Sequence, residues 1–70
     1  MASFTLINTQ RTSLRLVKTY WDSLYGSYYV RLYEPDGQGD WQLVPEAEYF
    51  TGDINAALAR ARHLSLGGSI

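Results

Sequence analysis

Seventy residues carry six basic and seven acidic side chains, a formal charge of −1, no cysteine, and a composition 46% hydrophobic and 19% charged. A chain this short holds one hydrophobic core and buries only about 60% of its unfolded surface, which leaves it marginal without a staple. The absent cysteines exclude disulfides and thiolate metal sites, the near-zero charge gives no long-range pull on a polyanion, and the composition excludes a disordered chain.

The first residues, MASFTLINTQRTSL, lack the basic start and apolar run of a signal peptide. No stretch approaches the ~20 apolar residues of a membrane span. The expectation is a soluble, cytoplasmic protein with no membrane partner.

Phe4-Thr5-Leu6-Ile7 opens a first strand, over about 3–7, closed by the polar cluster Asn8 to Thr12. Leu14, Leu16 and Val17 mark a second, over about 13–20, and Trp21 to Gly26 suits a connection. The clearest strand covers about 27–34, where Tyr28, Val30 and Leu32 alternate with Tyr29, Arg31 and Tyr33. Pro35-Asp36-Gly37-Gln38-Gly39-Asp40 then reads as a hairpin turn. A return strand over about 41–50 contains Pro45, which cannot donate to a ladder and so marks an edge or a bulge.

From Asp53 the apolar spacing changes to that of a helix, over about 53–65. Ile54, Ala57, Leu58, Ala61 and Leu64 share one face. Asp53 or Thr51 supplies the N-cap, Gly67-Gly68 the stop, and Arg60, Arg62 and His63 suit the C-terminal end of the dipole. The alanines keep the helix thin enough to lie close on a sheet. The predicted fold is α+β: an antiparallel meander of three or four strands with one C-terminal helix packed on one face. Leu14, Leu16, Val30, Leu32, Leu43 and the helix stripe form its expected core, while the place of the first strand stays open.

Catalysis finds little purchase. His63 is the sole histidine, and Asp53, nearly three turns away, is too far to orient it for a triad. Glu46 and Glu48 form an i, i+2 pair on one strand face, better read as a solvated edge than as acid and base. Asp36 to Asp40 lacks the ligand run and distal glutamate of a calcium loop, and no phosphate-cradling glycine motif occurs. Asp53 closes the helix N-terminus to anions. No enzyme activity, metal or cofactor is expected.

What remains is the stretch YWDSLYGSYYVRLY, Tyr20 to Tyr33, with most of the tyrosines. If Tyr28, Val30 and Leu32 face the helix, Tyr29, Arg31 and Tyr33 face away, with Arg15, Val17 and Thr19 on the neighbouring strand in one register. Tyrosine and arginine are favoured at protein-binding hot spots and also stack on exposed bases. They equally pair across strands and stiffen a sheet. Trp21, Tyr20 and Tyr25 are read as a cluster plugging the end of the sheet, and Trp41 as packing across the hairpin on Tyr33 or Leu32. The candidate protein-binding residues are Tyr29, Arg31, Tyr33 and Arg15.

The tyrosine-rich strand, the Asp-Gly hairpin, and Glu48-Tyr49-Phe50-Thr51-Gly52-Asp53-Ile54 leading into Asn55-Ala56-Ala57-Leu58-Ala59-Arg60-Ala61 resemble small proteins of phages and mobile elements. Among these are the compact anti-CRISPR inhibitors, several of which are single α+β domains of about this size. The resemblance covers the last two-thirds of the chain in pattern and element order, and carries over no functional residue. It implies a phage-encoded inhibitor that binds a CRISPR effector subunit and blocks it sterically, without chemistry of its own. Inhibitors that imitate DNA are strongly acidic and this chain is not, which favours occlusion over charge mimicry. The expectation is therefore a non-enzymatic protein-binding module. The alternative is a single-stranded nucleic-acid binder stacking bases on Tyr29 and Tyr33, with Arg31 and Arg15 on phosphates. A third reading is a homodimer formed through the sheet.

Overall fold

A computed structural model describes residues 3–70. The strands are β1 (Phe4–Arg11), β2 (Leu16–Asp22), β3 (Ser27–Pro35), β4 (Trp41–Leu43) and β5 (Tyr49–Thr51), and the helix α1 (Ile54–Ser65) follows them. The strands form one antiparallel sheet in the order β1-β2-β3, with β4 and β5 both on the far side of β3. This is the expected small α+β fold, an antiparallel sheet with a C-terminal helix on one face.

The expected strand over 41–50 is two strands, and Pro45 is the reason. Val44 N–H still reaches the Leu32 carbonyl at 2.9 Å, but Pro45 has no N–H to continue the ladder. Its fixed φ starts a 3-10 turn over Pro45–Ala47, closed by Glu48 N–H on the Pro45 carbonyl at 3.2 Å. The turn tucks Val44 and Ala47 into the core and brings the chain back onto β3 at Val30, three residues along that strand from Tyr33, the partner of Leu43. Glu46 therefore lies on a turn, and the shared strand face expected for Glu46 and Glu48 does not exist.

The first strand runs to Arg11 because the polar residues Asn8 to Arg11 keep pairing with β2, after a bulge at Ile7. Polarity misleads at an edge strand, where water reaches both faces. Between β1 and β2, Thr12 Oγ1 accepts from the N–H groups of Leu14 at 3.2 Å and Arg15 at 3.0 Å, so residues 12–15 form a turn. Leu14 at its tip is 71% exposed, and Leu43 is 45% exposed, so neither joins the core expected of them. Leu16 is buried, but on the sheet face away from the helix, opposite Tyr33.

The helix covers β2 and β3 most, β1 less, and β4 least. Ala57 and Ala61 have no exposed surface, and their small side chains let the backbone lie close over Val17, Val30 and Leu32, all likewise fully buried. Leu64, Val44 and Ala47 complete the cluster, with Tyr28 and Tyr49 packed on its margin. Asp53 Oδ1 accepts from Asn55 N–H at 2.9 Å as the N-cap, and Thr51 Oγ1 in turn receives Asp53 N–H at 3.2 Å. At the other end Gly67, with φ +90°, lets its own N–H reach the Leu64 carbonyl and that of Gly68 reach the His63 carbonyl. Those two bonds make a Schellman stop.

Candidate functional site

The register assigns each strand residue to a face. Toward the helix point Val17, Thr19 and Trp21 of β2, opposite Leu32, Val30 and Tyr28 of β3. Toward the open side point Leu16, Lys18 and Tyr20, opposite Tyr33, Arg31 and Tyr29. Tyr29, Arg31 and Tyr33 thus share the uncovered face. Val17 and Thr19, expected beside them in one register, are fully buried under the helix.

Arg15 is not on that face. It precedes β2, and its Nη1 donates to the carbonyls of Leu64 at 2.8 Å and Gly68 at 2.7 Å, while its Nε lies 3.9 Å from the Glu34 carboxylate. The side chain clamps the helix C-terminus, where carbonyls lack intrahelical partners and the dipole favours a cation.

Reading across the strands, the open face has three rows: Leu43–Tyr33–Leu16–Arg11, then Arg31–Lys18–Thr9, then Phe50–Tyr29–Tyr20–Leu6. Phe4, opposite Asp22, leans over the last row. Its ring stacks on Tyr20 with centroids 4.7 Å apart and planes at 22°, and it lies 5.6 Å from Tyr29. Tyr29 meets Phe50 at 6.0 Å. A run of four rings therefore crosses the sheet from β1 to β5.

Cations lie against this run. The Arg31 guanidinium is 5.1 Å from the Phe4 centroid and 5.5 Å from that of Tyr20, and Nε donates to Glu48 at 2.8 Å. Lys18 Nζ is 5.5 Å from the Tyr33 ring, and Arg11 5.5 Å from the Trp41 ring. Each such contact at an exposed site contributes about 0.5–1 kcal/mol, and the surface ion pair about 0–1 kcal/mol. Together they hold long side chains in place. Burial, and after it the neighbouring Tyr20, raises the Tyr33 phenol above its ordinary value, and Arg31 opposes the shift.

The face is apolar and exposed as well as aromatic. Phe50 is 68% exposed, Leu6 47% and Phe4 46%. Phe4, Tyr20 and Phe50 were outside the expected site. Lys18 was the missed signal: in LVKTYWD a mid-strand lysine has to face water, and Tyr20 shares its parity while Val17 does not.

The aromatic cluster expected from Trp21, Tyr20 and Tyr25 does not form. Trp21 packs on Tyr28 at 4.7 Å on the helix side, Tyr20 is on the opposite face, and Tyr25 stands 73% exposed in the turn. Trp41 pairs with Pro35 across the hairpin, under Arg11 rather than on Tyr33 or Leu32. In the hairpin turn Asp36 Oδ1 accepts from Gln38 N–H at 2.7 Å and Asp40 N–H at 3.2 Å, so its carboxylate is spent on the turn. Among the described residues no group of three or more acidic, histidine or cysteine side chains is placed to hold a metal ion, and no helix is long and apolar enough to cross a membrane. His63 is exposed, with Nε2 2.9 Å from the Ser69 carbonyl oxygen.

The chain matches no protein family, and comparisons with curated proteins and with solved structures return no match. Geometry and chemistry of the open face carry the functional reading.

Proposed function

We propose that this chain is a non-enzymatic protein-binding module that receives its target on the open face of the sheet. The observation that carries the reading is the ring run Phe4–Tyr20–Tyr29–Phe50, exposed at its ends Phe4 and Phe50 and half-buried between them, flanked by Leu6 and laced by Arg31. Hot spots favour large side chains whose rotamers are already fixed, because little ordering entropy remains to be lost on binding. The contacts within the run fix them before a partner arrives.

The same geometry weighs against single-stranded nucleic acid. A base needs a free ring face, and here Phe4 covers Tyr20 while Arg31 lies against both. Arg15, needed for a phosphate, is engaged at the helix end.

The nature of the target follows from the resemblance to compact anti-CRISPR inhibitors alone. On that basis the partner is a subunit of a bacterial CRISPR-Cas complex, blocked sterically by a phage-encoded protein. The test is nuclease-treated capture from lysates carrying defined CRISPR effectors, with wild type beside Phe50→Ala and Tyr29→Ala/Arg31→Ala. The expected result is one stoichiometric complex, lost in both variants while their circular dichroism is unchanged. Capture of no effector subunit would remove the inhibitor reading. A complex that survives both variants would move the site off this face, and tight, salt-sensitive binding of single strands would replace the reading with the nucleic-acid one.

A further inference from the structure

The two edges of the sheet are unlike. On the β3 side, β4 and β5 are three-residue strands separated by a 3-10 turn, a short and broken edge. On the other side β1 offers eight residues, and no strand among the described residues pairs along its outer side. Edges of this length are ordinarily guarded by lysine, proline or an inward charge. In FTLINTQR the sole charge is Arg11 at the end, while Phe4, Leu6 and Ile7 are 46%, 47% and 42% exposed.

The bulge determines what fits there. Phe4, Leu6, Thr9 and Arg11 pair with open-face residues of β2, whereas Thr5, Asn8 and Gln10 pair with helix-side ones. Ile7, the extra residue, lines the helix-side groove with Ile54 and Leu58. In chain order the faces read open, helix, open, helix, helix, open, helix, open. The order is the same from either end. A plain strand laid on this edge has to skip a residue at Ile7, as β2 does. A second β1 running antiparallel does not: Phe4 meets Arg11, Thr5 meets Gln10, Leu6 meets Thr9 and Ile7 meets Asn8, every residue on its own face.

We infer that β1 is a self-pairing edge and that its occupant is a second copy of this chain. The chemistry of the pairs is complementary. Across the junction the open face would run Asp22–Phe4–Arg11–Leu16, the last two from the second copy, placing a guanidinium on a phenyl ring beside a carboxylate. No like charges oppose one another, and a net charge of −1 leaves little repulsion between copies. Because each residue keeps its face, the two-fold axis stands perpendicular to the sheet. Both helices lie on one side and both ring runs on the other. The pairing itself is independent of what the open face binds; joining the two ring runs would double the contact surface for any target.

The absence of cysteine makes the register readable by cross-linking. Leu6→Cys and Thr9→Cys proteins are mixed in equal amounts in a thiol–disulfide buffer. Opposed residues stand about 4.5–5.5 Å apart between Cα atoms, within disulfide reach. Leu6 and its own counterpart are offset by roughly 10 Å along the strand. The expected product is the mixed disulfide, well above either homodisulfide, and sedimentation of the wild type should show a mass rising to twice the monomer with concentration. Leu6→Lys should abolish that dimer, and Tyr29→Ala/Arg31→Ala should leave it intact. A monomer at every concentration, a statistical mixture of disulfides, or a dimer lost in Tyr29→Ala/Arg31→Ala but kept in Leu6→Lys would each overturn the inference.

Discussion

Arg15 Nη1 stands 2.8 Å from the carbonyl oxygen of Leu64 and 2.7 Å from that of Gly68, joining the turn before β2 to the last turn of the helix. Both bonds are charge-assisted and part-buried, a setting in which hydrogen bonds exceed the usual value. Arg15→Ala should therefore lower stability by about 1–3 kcal/mol, measured by urea unfolding. Binding through the open face should be unaffected once the variant is folded. A stability within about 0.5 kcal/mol of wild type, the range of ordinary surface changes, would mean the clamp contributes nothing.

The same helix end depends on Gly67, whose φ of +90° lies where side chains other than glycine are strained. Space is not the issue, since a Cβ there would meet nothing within 4 Å. Gly67→Ala should cost about 1 kcal/mol. In a domain of this size that is a fall of about 4–8 °C in Tm, read by thermal circular dichroism.

The sequence predicts most of the fold because its periodicities are clean where one face is buried and the other wet. Tyr28, Val30 and Leu32 against Tyr29, Arg31 and Tyr33 is such a case, and so is the helix stripe ending at Gly67. Periodicity fails where that contrast is missing. β1 lies at the margin of the helix's cover, so its polar half reads as loop, and the bulge at Ile7 breaks the alternation. β2 fails differently: Leu16 and Val17 are both buried, one on each face, and only Lys18 reveals which residues look outward. That single-residue slip moves Tyr20 into the candidate site and Val17 and Thr19 out of it. Arg15 lay beyond sequence reading, because its partners are 49 and 53 residues away and are backbone carbonyls.

Tyr33 carries a pH signature. Its phenol is held above the ordinary value of 10.0, first by burial and then by Tyr20. The unfolded chain thus loses this proton at a lower pH than the folded one. The contribution to stability is intact below 10.0 and is lost as pH rises from there through the raised folded value. Stability should fall as pH rises through 10.0 toward the raised folded value, and Tyr33→Phe should flatten part of that fall. Tm profiles of the two proteins check this. Parallel profiles would show that Tyr33 titrates alike in both states.

Thr19 sits at the centre of the sheet between Asn8 and Val30, with no exposed surface, and its Oγ1 has no hydrogen-bond partner among the described residues. A buried hydroxyl left in that state costs about 1–3 kcal/mol. Valine has the same branched shape and would present a methyl to the apolar cluster that contains Val17, Val30 and Leu32. Thr19→Val should therefore stabilise the chain, by about 1 kcal/mol after allowance for the altered contact with Asn8. Its effect has the opposite sign to that of most core substitutions. Chemical unfolding of wild type and variant decides it, with the m-value compared to show that the folded state stays as compact. A destabilised variant would mean that the Thr19 hydroxyl is satisfied in solution, and that the polar pair it forms with Asn8 helps to hold β1 in register.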